Sequence, residues 1–180
     1  MGGAIALKFA LDSPQRVKKL VLVSAMGLGQ EVVLANRLLA AIPALVYFSR
    51  PTHFGAKLVL QGNVYDPESI PKAFFELNYK LFKVPGRKEA LISLLKTNIN
   101  IWGVKTKVTK PIIQNLDRIQ SKTLIIWGRE DTVFPVAHAQ IAMKKIPHAQ
   151  LQIFEKCGHW AQVEYSEKFN QLVLKFLEEY

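Results

Sequence analysis

The sequence predicts an α/β fold, a parallel sheet with flanking helices that is interrupted by a helical insertion. Three observations carry that prediction. Short Val/Ile/Leu-rich runs at residues 20–23, 123–127 and 151–154 read as strands buried on both faces. Helical periodicities lie beside each of these runs. Between about residues 27 and 110 the strand signals almost vanish and amphipathic helical stretches take over.

From the N-terminus, residues 3–11 place Ile5, Ala6, Phe9 and Ala10 at helical spacing, and Asp12-Ser13-Pro14 breaks that helix. Arg16 to Lys19 lead into the first strand. The insertion holds helical stretches at 32–48, 69–82 and 88–102. The second strand stops at Gly128. Pro135 fits a first helical position, and Ala139, Ala142, Met143 and Ile146 continue that helix to Pro147. After the third strand, Ser166 suits an N-cap. The helix behind it sets Phe169, Leu172, Val173, Phe176 and Leu177 on one face. Strands alternating with helices argue a parallel sheet. Segments 1–26 and 111–180 are therefore expected to form one α/β unit, with 27–110 inserted as a helical cap.

With 180 residues, 49% of them hydrophobic and 21% charged, the chain has the balance of a globular protein and not of a disordered one. The net charge of +10 sits mainly in the insertion, where 12 Lys and Arg face 5 Asp and Glu. No dense Lys/Arg block or nucleic-acid motif accompanies it, so a solvated basic surface is expected and nucleic acid is not. The single cysteine, Cys157, excludes an internal disulfide framework and suits a reducing compartment. No signal peptide is visible, and a cytoplasmic protein is expected. The most apolar run, 32–48, carries Arg37 and Pro43 and falls short of a membrane span. Peripheral membrane contact through the cap is a lesser expectation. His53, His138 and His148 lack ligand spacing, so neither a metal nor a cofactor is expected. No obligate protein partner is evident.

Two motifs carry chemistry. Asp131 lies in Gly128-Arg129-Glu130-Asp131, at the C-terminal end of the second strand, where α/β folds gather functional side chains. His159 follows the third strand in Cys157-Gly158-His159-Trp160. Alone, Asp131 reads as an ordinary acid before a helix, and His159 as a structural histidine. Together they follow strands adjacent in sequence and should meet at one sheet edge. A carboxylate there can fix the tautomer of an imidazole and stabilise its protonated form. Cys157 reads as a small buried residue before a turn, and Ser24 as a polar residue where the chain leaves for the cap.

The N-terminal Met1-Gly2-Gly3-Ala4, followed by a helix, looks like the second half of a Gly-x-Ser-x-Gly nucleophile elbow. On these three features the chain resembles the α/β-hydrolases. It is most similar to the meta-cleavage-product hydrolases and related serine esterases and lipases. The resemblance runs through Ala6-Leu7, Phe9-Ala10, Trp127 to Asp131, Cys157 to Gln162, Glu164, Phe169-Asn170 and Leu172-Val173. It departs at Val163, where the family usually has another aromatic. The resemblance implies the C-terminal part of an α/β-hydrolase fold. It implies Asp131 as triad acid, His159 as general base and the backbone N–H of Met1 as an oxyanion-hole donor. It also implies a small apolar ester or ketone substrate, with an apolar cap surface (Leu34, Leu38, Leu39, Ile42, Leu45, Phe48). Within it, Leu38 and Ile42, with Trp160 from the histidine loop, are the substrate-pocket candidates.

The expected serine would stand just before Met1, so the chain is expected to lack the nucleophile and to be inactive alone. Without the preceding strands, 20–23 would be an open apolar edge and the chain poorly soluble. The alternative is a non-catalytic interaction or split-fold subunit derived from such a hydrolase.

Overall fold

The computed structural model describes residues 1–50 and 52–178. Helix α1 (Gly2–Asp12) leads through a short 3-10 turn into β1 (Lys19–Val23). The insertion follows with α2 (Leu34–Ala41), α3 (Ala44–Tyr47), α4 (His53–Gln61), α5 (Lys72–Phe82) and α6 (Arg87–Asn98). A two-residue antiparallel pair, β2 (Ile99–Asn100) and β3 (Gly103–Val104), closes it. Then come α7 (Thr106–Ile113), β4 (Lys122–Gly128), α8 (Ala137–Lys145), β5 (Ala149–Phe154), α9 (Ala161–Glu164) and α10 (Ser166–Glu178).

The three predicted strands form one parallel sheet in the order β1-β4-β5. β4 is central and buried from Thr123 to Gly128, as a run of Val/Ile/Leu character requires. β1 pairs with β4 alone among the described residues, leaving its other edge open. Its Leu20 and Leu22 are buried while Val21 and Val23 are half-buried. Helix α1 approaches the loop behind β1 so closely that a Cβ on Gly3 would stand 2.4 Å from the Ala25 Cβ. Only glycine fits there.

Two apolar clusters flank the sheet. The larger joins Leu7, Leu22, Trp127 and Ile125 to Val32, Ala40, Leu95, Ile99 and Val104. The base of the insertion thus shares one core with the sheet. The smaller packs Ile126, Phe154 and Cys157 against Phe176.

Several expectations need correcting. The stretch 32–48 is two helices, because Ile42 and Pro43 interrupt the backbone ladder. Helix α6 ends at Asn98, and Trp102 lies at the tip of the β2–β3 turn, 83% exposed. Helix α4 was not expected: its side chains are mixed, and its clearest signal is Thr52, whose hydroxyl caps it by accepting from the Gly55 amide at 3.0 Å. Pro135 lies outside α8, which starts two residues later. On α10, Leu177 faces solvent while Phe176 is buried. Helix α7 packs on α1.

Candidate active site

β4 and β5 are neighbours, with Gly128 level with Phe154, so the loops after them emerge side by side. The Asp131 loop is held by its own backbone and by the next strand's loop. Arg129 N–H donates to Phe154 O at 2.9 Å, and Glu130 N–H to Cys157 O at 3.0 Å. Asp131 Oδ1 accepts the amides of Val133 at 2.8 Å and Phe134 at 3.0 Å, a side-chain-to-backbone turn typical of Asp. Its other oxygen, Oδ2, lies 2.9 Å from His159 Nδ1. The Asp131 side chain is fully buried, and that of His159 is 20% exposed. The two residues expected to meet therefore do so.

That geometry sets the imidazole. A deprotonated carboxylate only accepts, so Nδ1 carries the proton and Nε2 presents a lone pair. Nε2 makes no hydrogen bond within the described residues. Phe134 covers the ring at 5.6 Å between centroids. The arrangement can take a proton at Nε2 and stabilise the resulting cation at Nδ1.

Residues that the motifs did not single out hold this pair in place. Glu130 Oε2 accepts the Cys157 amide at 2.9 Å. Glu164 Oε1 accepts the Gly158 amide at 2.7 Å, and its Oε2 accepts those of Tyr65 at 2.7 Å and Asp66 at 3.3 Å. His159 N–H donates to Asn63 O at 2.8 Å, and the Thr132 hydroxyl to Gly62 O at 3.1 Å. The segment from Gly62 to Asp66, between α4 and α5, is thus tied to both loops. No local pattern marks Asn63 or Thr132. Glu164 was visible only as part of a family resemblance.

The other candidates separate. Met1 caps α1 through its carbonyl, which accepts the Ala4 amide at 2.9 Å. It lines a cavity of about 450 Å³ between α1 and α7, and burial holds its amine below the ordinary value. No hydrogen bond joins it to Asp131 or His159 among the described residues. Leu38 and Ile42 lie exposed on the α2 side of the insertion, 39% and 49% accessible. Trp160 is half-buried, edge-on to Phe74 of α5 at 5.7 Å. Ser24 adopts φ 43° at the end of β1, and its hydroxyl is buried without a partner. Cys157 is fully buried, and desolvation followed by the nearby Glu164 pushes its thiol far above the ordinary range. His53 stacks on Tyr79 at 3.6 Å, and the buried His138 meets Glu31 at 2.8 Å through Nε2. No cluster of metal-binding side chains occurs among the described residues. No described helix is long and apolar enough to cross a membrane.

Residues 1–165 match the family model of the alpha/beta hydrolase fold. The chain belongs to that family. Among its relatives, the 2-hydroxy-6-oxononadienedioate/2-hydroxy-6-oxononatrienedioate hydrolase of Comamonas testosteroni is 32% identical over 179 residues. That alignment covers 98% of this chain and 60% of the relative. The 2-hydroxy-6-oxo-6-phenylhexa-2,4-dienoate hydrolase of Burkholderia cepacia is 31% identical with the same coverage. A solved meta-cleavage product hydrolase from Pseudomonas fluorescens superposes with a TM-score of 0.75 at 27% identity, covering 97% of this chain and 61% of that one. This α/β-hydrolase thus spans about 60% of the length of the curated relatives it matches. Its parallel sheet and flanking helices form a C-terminal portion of the fold.

Proposed function

We propose that Asp131 and His159 are the acid and base of a serine-type hydrolase acting on an ester or on a carbon–carbon bond next to a carbonyl. The 2.9 Å contact between Asp131 Oδ2 and His159 Nδ1 carries this reading. His159 Nε2 takes the proton of the attacking hydroxyl and later returns it to the leaving group. Asp131, with Oδ1 anchored on two amides, keeps the ring in the required tautomer and stabilises the imidazolium. The nucleophile is proposed to be a serine directly before Met1. In that setting the Met1 nitrogen is a peptide N–H beside the N-terminus of α1, suited to an oxyanion. Residues 27–110 act as the cap, with Leu38, Ile42 and Trp160 against a small apolar ester or ketone. The names of the relatives favour the carbon–carbon branch.

A second reading, a non-catalytic split-fold subunit, draws support from the open edge of β1. Translating the DNA before Met1 in frame separates the two. Gly-x-Ser directly upstream supports the hydrolase, and a stop codon there supports the subunit. The activity itself is tested on the extended protein by hydrolysis of an aryl ester and of a 2-hydroxy-6-oxo dienoate, alongside His159→Ala. Undiminished turnover in that variant would remove His159 from the mechanism.

A further inference from the structure

Inside the helical insertion, α2, α3, α4 and α6 enclose a cavity of about 350 Å³. That is within the range of small-molecule sites, about 300–1,000 Å³. Leu39, Val46, Ala56 and Leu91 give it apolar walls. Its charged lining is entirely basic, with Arg50, Arg87 and Lys88 and no Asp or Glu among the described residues.

The three cations are not equivalent. Lys88 Nζ is already committed, donating to Tyr47 O at 2.9 Å and to the Ser49 carbonyl. Arg50 is exposed at the rim. Arg87 lies half-buried over the Phe82 ring, its guanidinium carbon 3.7 Å from the centroid. It meets no carboxylate among the described residues. Burial holds its pKa below the ordinary guanidinium value. A partly desolvated cation without a counter-charge is costly, and an anion in the cavity relieves that cost. The planar guanidinium fork fits a carboxylate through two parallel hydrogen bonds.

We propose that this cavity binds an aliphatic carboxylate, its head on Arg87 and its tail among Leu39, Val46 and Leu91. The inference stands on the cavity and is independent of the proposed hydrolase activity. The cavity and the Asp131–His159 loops adjoin different stretches of α4. Thr52, Gly55, Ala56 and Val59 line the cavity, whereas Gly62 and Asn63, beyond the C-terminal end of α4, bond to Thr132 and His159.

The test is calorimetric titration of the full chain with decanoate below its micelle concentration, with decanol as the uncharged tail and acetate as the bare head. Decanoate is expected to bind with one site, and decanol and acetate far more weakly. Arg87→Gln is expected to weaken decanoate at least about tenfold, the loss of one hydrogen bond to a charged group, while Arg87→Lys, which keeps the charge but not the fork, is expected to fall between the parent and Arg87→Gln. Leu91→Trp, checked for a native melt, should block the tail. Absence of decanoate binding, equal binding of decanol, or full affinity in Arg87→Gln or in a folded Leu91→Trp overturns the proposal.

Discussion

Glu164 accepts the Gly158 amide at 2.7 Å, one residue before His159, and with its other oxygen accepts the Tyr65 amide at 2.7 Å. One carboxylate thereby ties the histidine loop to the segment between α4 and α5. Glu164→Gln keeps a single acceptor oxygen, so one of these two sets of bonds is lost. The expected cost is about 1–3 kcal/mol, the range for leaving a charge-assisted bond unmade. Differential scanning calorimetry measures it, and a melt unchanged from the parent chain would show that the clamp adds nothing.

The backbone of that loop has no spare room. A Cβ on Gly158 would meet the Val64 backbone at 2.8 Å and Asn63 O at 2.9 Å. These are main-chain atoms of a segment already bonded to His159, so a rotamer change cannot relieve the contact. Gly158→Ala is expected to destabilise by about 1–3 kcal/mol through overpacking. Urea unfolding measures this, and a midpoint equal to that of the parent would show that the two loops separate freely.

The sheet and the Asp131–His159 contact were legible because each is written locally. Residues 124–127 are uninterrupted apolar sequence, and Asp131 and His159 each follow a strand end, so parallel pairing alone brings them together. The insertion was less legible. Its helices are short, and Pro43 splits one expected stretch in two. Helix α4 buries only Ala56 and Leu60 fully, which leaves little periodicity to detect. The ties from Asn63 and Thr132 are invisible for a different reason: they use backbone carbonyls, which no residue type announces. The pocket assignments of Leu38 and Ile42 came from the family resemblance, and both side chains lie exposed on the α2 side of the insertion.

Cys157 offers a contrast with His159, two residues away. Its thiol is fully buried, within 3.7 Å of Glu164 Oε1, and both desolvation and that carboxylate oppose the thiolate. At pH 8 the native chain is expected to resist a disulfide thiol reagent, and to react with one equivalent after denaturation. Rapid stoichiometric labelling of the folded chain would contradict this environment.

The last prediction concerns acid stability. His138 is buried between Trp127 and Phe134, and its Nε2 lies 2.8 Å from Glu31 Oε2. The bond from His138 holds the Glu31 carboxyl below its ordinary value of 4.5, although Glu31 itself is largely exposed. A carboxylate whose pKa falls on folding contributes stability above the unfolded value and loses it as pH drops through the folded one. The parent chain is therefore expected to exceed Glu31→Gln in urea midpoint at pH 6, with the gap closing as the pH falls through and below 4.5. Solvent screening keeps the gap small. A difference that stays constant from pH 6 to pH 3 would mean that Glu31 acts on the fold through packing and not through its charge.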